Sequence, residues 1–332
     1  MVESTLAHDR AIPAIGVGTW AWGNQFLWGY DPAQDTQLEA TFARAVALGL
    51  RFFDTADSYG TGRLQGRSEQ LLGRFSAALT PQQRQQLCVA TKLAPFPWRL
   101  GRSGFRRAFA ASRHRLQGKL DRVQLHWSTA RYAPWQDGPL LDGLADLIAE
   151  GAVASLGLSN MGPKRLRQVH GRLQQRGIRV ASLQVQLSLL AAQPLAPGGV
   201  AEVCRELGIE LIAYSPLALG LLARPARGSD QQPSSLVGTR RALFSRLQPR
   251  IEPLLELLAA IAQERQVGQV AVALNWCRSH GAMPIVGLRS VEQAEAAAAA
   301  GHWCLTEAER RALDAAAAAL PVQMPANPFC SD

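Results

Sequence analysis

The chain has 332 residues, 47% of them hydrophobic and 18% charged, and its 35 basic residues outnumber 26 acidic ones for a formal net charge of +9. That is too much apolar material for global disorder and enough for a sizeable core. The positive balance does not mark a nucleic-acid binder. Only Lys92, Lys119 and Lys164 are lysines, and the arginines are spread from Arg10 to Arg311 in groupings no longer than pairs such as Arg106-Arg107, Arg240-Arg241 and Arg310-Arg311, whereas nucleic-acid surfaces gather basic residues on one face.

Cys88, Cys204, Cys277, Cys304 and Cys330 lie far apart, with no Cys-x-x-Cys pair and no cysteine–histidine set with the spacing of a zinc site. A reduced compartment is expected, with no structural metal. The first ten residues lack an apolar signal core, and no stretch approaches the ~18 apolar residues that span a bilayer. We therefore expect a cytoplasmic protein without membrane contact.

Short apolar runs, each followed by a polar loop and a segment of helical period, recur along the chain. They predict strands at 15–19, 50–54, 87–92, 122–126, 153–159, 181–184, 209–214 and 283–287. From the second to the seventh, strand starts are about 28 to 37 residues apart, the length of one parallel βα unit. Apolar faces appear between them at Leu38, Phe42 and Val46; at Phe105, Ala108, Phe109, Ser112 and Leu116; and at Leu254, Leu257, Leu258 and Ile261. Pro253 suits a first helical turn, and Ser290 with Gln293 and Thr306 with Glu309 read as capping boxes. Eight alternating units predict an α/β fold of the (β/α)8 TIM-barrel type, occupying 1–332 as one domain; an open doubly wound sheet is the competing arrangement. Residues 215–250 exceed what a βα loop needs and read as a lid. A C-terminal helix precedes the tail 321–332, which carries three prolines and reads as an irregular strap or a frayed end.

In such a barrel the site forms at the C-terminal ends of the strands. The predicted ends supply Thr19-Trp20, Asp54, Lys92, His126, Ser159-Asn160, Gln184, Tyr214 and the run from Gly287 to Ser290. Lys92 is one of three lysines and closes an apolar strand, so it needs a reason to be there. Burial lowers a lysine pKa and a neighbouring aspartate raises it again. A charged Lys92 beside Tyr59, which follows Asp54 by five residues, is expected to depress the phenol pKa below about 10 and ready it for proton transfer.

The segments Phe53-Asp54-Thr55-Ala56-Asp57-Ser58-Tyr59-Gly60, Thr91-Lys92 and Gln124-Leu125-His126-Trp127 resemble the Asp-Tyr-Lys-His tetrad of the aldo-keto reductases. Gly157-Leu158-Ser159-Asn160, Gln184, Ala213-Tyr214-Ser215-Pro216-Leu217 and Ile285-Val286-Gly287-Leu288-Arg289-Ser290 match that family in order. Pro97-Trp98-Arg99 and the run from Leu211 to Pro216 are similar to such oxidoreductases of cyanobacteria and chloroplasts.

The resemblance implies NADPH/NADP+ lying extended over the barrel mouth without a Rossmann fingerprint; Gly16-Val17-Gly18 opens no helix and is discounted. It implies that Tyr214 stacks on the nicotinamide and that Ser159, Asn160 and Gln184 hold its carboxamide. Ser215, Leu217 and Gly220 would lie along the pyrophosphate, and Arg289 and Ser290 would meet the 2′-phosphate. Thr19, Trp20, Asp54, Gly287 and Gln293 complete the expected cofactor set. The implied reaction is reduction of an aldehyde or ketone, Tyr59 donating the proton, Lys92 and Asp54 tuning it and His126 orienting the carbonyl. Six of eight tryptophans fall around the expected mouth; Trp22, Trp98 and Trp127 are the candidate substrate contacts and favour a bulky or aromatic carbonyl. Departures from the family's usual wording fall at Met161, Leu183 and Ala296-Ala297, outside the tetrad. A monomer acting on a small carbonyl is expected; the rival reading is a regulatory or partner-binding barrel that keeps NADPH and turns over little.

Overall fold

Residues 15–226 and 238–331 are described in the computed structural model. Eight parallel strands, β1 (Gly16–Gly18), β2 (Phe52–Asp54), β3 (Cys88–Leu93), β4 (Arg122–Leu125), β5 (Ser155–Ser159), β6 (Val180–Gln186), β7 (Glu210–Tyr214) and β8 (Ala282–Gly287), pair in sequence order. Pairing of Val17 with Val286 and of Gly18 with Gly287 joins β1 to β8 and closes the barrel. The eight strand predictions and the barrel therefore stand, and an open sheet is excluded.

Alternation along each strand separates two cores. Outward-facing residues such as Phe53, Val89, Val123 and Leu211 pack under the helices, while Phe52, Ala90, Ile212, Met283 and Ile285 fill the barrel interior. Each fully buried side chain of this size contributes about 1.5–3 kcal/mol. At the floor Arg122 of β4 reaches across to Glu210 of β7, Nη1 to Oε2 2.9 Å, with its guanidinium 5.5 Å from the Phe52 ring. Gly16 leaves room for this packing: a Cβ there would lie 2.8 Å from both Ile285 and Phe52.

The helices follow their apolar faces. Asp35–Ala47 buries Leu38, Thr41, Phe42, Ala45 and Val46, and Gly101–Arg115 buries Gly104, Phe105, Ala108, Phe109 and Ser112. In Glu252–Glu264 the buried stripe is Leu254, Leu255, Leu258, Ile261 and Ala262. Leu257, expected in that stripe, is half-buried, because the contact face is rotated toward Leu255. The capping box at Thr306 forms with Glu309. At Ser290 only half of the expected box forms: its side chain accepts from the Gln293 N–H, but the Gln293 side chain takes the N–H of Arg289 instead.

After β7 the chain makes a 3-10 segment, Ala218–Ala223, and a helix, Gly238–Leu247. Residues 227–237 of the expected lid lie outside the described residues. The tail from 321 is irregular and crosses the barrel mouth, with Ser331 bridged to Met161. No helix among the described residues is long and apolar enough to cross a membrane.

Candidate active site

Strand register places the chemistry. Asp54 pairs with Gly18 and Ala90, and Lys92 pairs with Gln124, so the inward-facing residues at the upper ends of β2, β3 and β4 meet. Both Asp54 and Lys92 are fully buried. Lys92 Nζ donates to Asp54 Oδ2, to Thr55 O at 3.0 Å and to Tyr59 OH at 3.1 Å, so all three ammonium protons have acceptors. The other Asp54 oxygen accepts Gln124 Nε2 at 2.8 Å and Gln184 Nε2 at 2.9 Å.

Tyr59 sits on the loop after β2, held by a turn that only glycine permits. Gly60 has φ +119°, and a Cβ there would lie 1.8 Å from Leu64 O. Across the mouth the Tyr59 ring meets His126 edge-on at 5.9 Å and Trp20 at 6.4 Å. His126 Nδ1 lies 3.3 Å from Ser58 Oγ.

The electrostatics correct one expectation. Removal from water pushes the Tyr59 phenol above its usual pKa and outweighs the lowering by Lys92, so Tyr59 is not the depressed phenol expected from the charge beside it. Burial would push the Lys92 ammonium down, but Asp54 and Tyr59 together hold it above its usual value. His126 is held well below the usual histidine range by burial, then by the charges of Lys92 and Arg99. At neutral pH the set is a charged lysine, a neutral phenol and a neutral imidazole.

On the opposite side of the mouth Asn160, at φ +58°, donates Nδ2 to His126 O at 2.9 Å and to Ser159 Oγ at 3.1 Å, and Ser159 Oγ donates to Gln184 O at 3.0 Å. Tyr214 OH donates to Asn160 Oδ1 at 2.9 Å. Ser159, Asn160, Gln184 and Tyr214 therefore form one connected patch. Beyond it Ser215, Ala218 and Leu219 have positive φ, strained backbone of a kind that persists where surroundings over-determine it, and Gly220 follows in a conformation glycine adopts freely. Leu217 lies within this turn, just before Ala218–Ala223. Thr19 is placed differently: its Oγ1 bonds Asp54 O and Ser68 Oγ, tying β1 to the barrel wall and leaving no hydroxyl for the mouth.

At the end of β8, beside Gly287 and Ser290, Arg289 donates to Trp28 O at 2.6 Å, while the Gln293 side chain is engaged by the Arg289 N–H. Arg240, which sequence reasoning missed, lies 4.2 Å from the Trp28 ring and 5.3 Å from that of Phe244. It donates to Leu219 O at 2.9 Å and leaves its buried Nε without a partner. Burial, with the charges of Arg289 and Arg224, brings its pKa down to about 10.

Of the tryptophans, Trp20 and Trp127 stand at the mouth, Trp127 stacked on Phe329 at 4.5 Å. Trp98 is exposed and stacks on Phe96 at 4.7 Å. Trp22 corrects another expectation. It is fully buried, its Nε1 donates to Leu288 O at 2.9 Å, and its ring meets Phe75 edge-on; it packs the barrel against the helix Arg67–Ala77 and cannot reach a substrate. Ser58, Gln124 and the tail residue Asn327 also join the site. Gln124 was legible as the inward neighbour two residues before His126; Asn327 carried no signal.

A barrel with this set at its mouth defines a class, and the family model for the aldo/keto reductase family matches residues 14–318. The chain belongs to that family and is an oxidoreductase. It is 45% identical over 325 residues to the chloroplastic pyridoxal reductase of Arabidopsis thaliana, covering 96% of this chain and 87% of that one. An uncharacterized oxidoreductase of Mycobacterium bovis is 35% identical over 320 residues, 94% of this chain and 91% of its own. The crystal structure of an aldo/keto reductase from Klebsiella pneumoniae in complex with NADP and acetate superposes with TM-score 0.71 at 25% identity, covering 97% and 96% of the two chains.

Proposed function

We propose that this protein is an NADPH-dependent reductase of a flat aromatic aldehyde of the pyridoxal kind. The observation that carries the reading is the buried Lys92 bonded at once to Asp54 and to Tyr59 OH, with neutral His126 across the mouth. Two observations support the coenzyme: the patch of Ser159, Asn160, Gln184 and Tyr214, and the Arg240 guanidinium, whose orphaned buried Nε lies among further arginines as an anion site requires. Tyr214, Asn160, Ser159 and Gln184 would hold the nicotinamide end, the strained turn from Ser215 to Gly220 would follow the pyrophosphate, and Arg240, Arg289 and Ser290 would meet the 2′-phosphate. NADPH, when bound, supplies the hydride.

The remaining chemistry belongs to the chain. Tyr59 gives its proton to the carbonyl oxygen, and Lys92 then stabilises the phenolate that forms. Asp54 keeps Lys92 charged, and Gln124 and Gln184 keep Asp54 in place. Neutral His126 donates a hydrogen bond that orients the carbonyl. Trp20, Trp127 and Phe329 offer the aromatic walls that a planar ring requires, and the name of the Arabidopsis relative, a pyridoxal reductase, agrees with such a pocket. All five cysteines are free, which suits a reducing compartment such as the cytoplasm.

The test is Tyr59→Phe. The variant should bind NADPH within about twofold of the parent and lose at least about a thousandfold in pyridoxal reduction followed at 340 nm. Undiminished turnover removes Tyr59 from the mechanism, and a parent that binds NADPH but reduces no aldehyde favours a binding protein.

A further inference from the structure

The tail from 324 to 331 is tied to the mouth at separate points. Met324 N donates to Leu190 O at 2.8 Å, Ser331 N donates to Asn160 O at 3.1 Å, and Gly162 N donates to Ser331 O at 2.6 Å. Arg131 donates to Cys330 O at 2.9 Å, and Phe329 stacks on Trp127. At the centre Asn327 Nδ2 lies 2.6 Å from Tyr214 OH and 2.9 Å from Asn160 Oδ1.

The directions of these bonds are forced. Asn160 Nδ2 is engaged by the carbonyl of His126, so its Oδ1 faces Tyr214. Tyr214 must spend its one hydroxyl proton on that oxygen and can only accept from the third partner. Asn327 therefore presents its amide N–H2 to both, while its own Oδ1 accepts the Phe329 N–H at 2.9 Å. Without Asn327 the Tyr214 hydroxyl loses the donor that reaches it from the tail and keeps its bond to Asn160 Oδ1.

We propose that Asn327 is a positioning residue: through Tyr214 and Asn160 it orients the surface that receives the nicotinamide, making the C-terminal strap part of the coenzyme site. This rests on the coenzyme reading above. The amide is the active half of the side chain, which makes Asn327→Asp the informative change. Asp keeps the oxygen that caps Phe329 N–H but removes both donated bonds, so Tyr214 can bond it only by turning its one hydroxyl proton away from Asn160 Oδ1.

Asn327→Asp and Asn327→Ala should each weaken NADPH binding about tenfold, in Kd by quenching of tryptophan fluorescence and in KM. Both should leave the melting temperature within about 2 °C, and any fall in kcat should be smaller than the rise in KM. If Asn327 only caps the tail, Asn327→Asp will bind NADPH as the parent does, and that result overturns the proposal. Parental affinity in both variants overturns it equally. A parent that fails to bind NADPH strikes instead at the coenzyme reading, so the two failures are separable.

Discussion

Tyr59 is a phenol held away from water, with an ammonium 3.1 Å from its oxygen. The two influences oppose each other, and burial wins. The phenol therefore stays protonated at neutral pH, and the ammonium of Lys92 is what favours its loss of the proton as the phenolate forms. The carbonyl-reducing kcat/KM should therefore stay flat from about pH 6 to about pH 9 and fall only on the alkaline side, near or above 10, as Tyr59 ionises. His126 adds no inflection near 6.5, since its pKa in the fold lies well below that. An alkaline limb centred near pH 7 would show that Lys92 outweighs burial after all.

Among elements, those that close the mouth come from distant parts of the sequence. The short helix Gln25–Trp28 follows β1, the helix Gly238–Leu247 follows β7, and the Arg240 guanidinium lies over Trp28 to join them. Such a contact at a buried site is worth up to ~2 kcal/mol, so it can latch two loops whose own turns are weak. In the coenzyme site proposed above, the same guanidinium would also supply a cation for the 2′-phosphate. Replacing it separates these roles: Arg240→Ala should weaken NADPH binding about tenfold and NADH binding less than about twofold, by fluorescence titration. Equal losses for both coenzymes would reduce Arg240 to a latch.

The whole molecule places its charge in two ways. On the outside, arginines clamp neighbouring helices: Arg102, Arg172 and Arg176 share Asp142, and Arg44 meets Glu295. Exposed pairs of this kind contribute little singly, so the +9 balance is mainly a solvated, cross-linked surface. Inside the barrel floor the logic reverses. Arg122 and Glu210 are mostly buried and come from β4 and β7, and burial raises the Glu210 carboxyl despite the guanidinium beside it. Removing one partner strands the other, so Arg122→Met should cost about 3–5 kcal/mol in urea unfolding, and adding Glu210→Met should recover most of that loss. A double variant no more stable than the single one would show that the floor is held by packing around Phe52 alone.

The barrel and its four central site residues were legible because both follow from local pattern. Alternation puts Asp54, Lys92 and Gln124 on the inner face, and parallel βα units bring strand ends into one ring. What sequence could not decide depends on distance and solvent. Trp22 reads like its neighbours as a mouth residue, yet the turn after β1 sends it into the core beneath Leu288. The direction of the Tyr59 pKa required knowing how much water reaches the ring as well as which charge lies near. Arg240 and Asn327 sit in a long connection and an irregular tail, where no period predicts a partner. They reach the candidate site only because closure of β1 onto β8 and the path of the tail bring 25–28 beside 240, and 327 beside 160 and 214. Sequence alone determined the scaffold and the chemistry at its strand ends. Tertiary structure decided what covers that chemistry, because contacts between segments hundreds of residues apart leave no trace in local spacing.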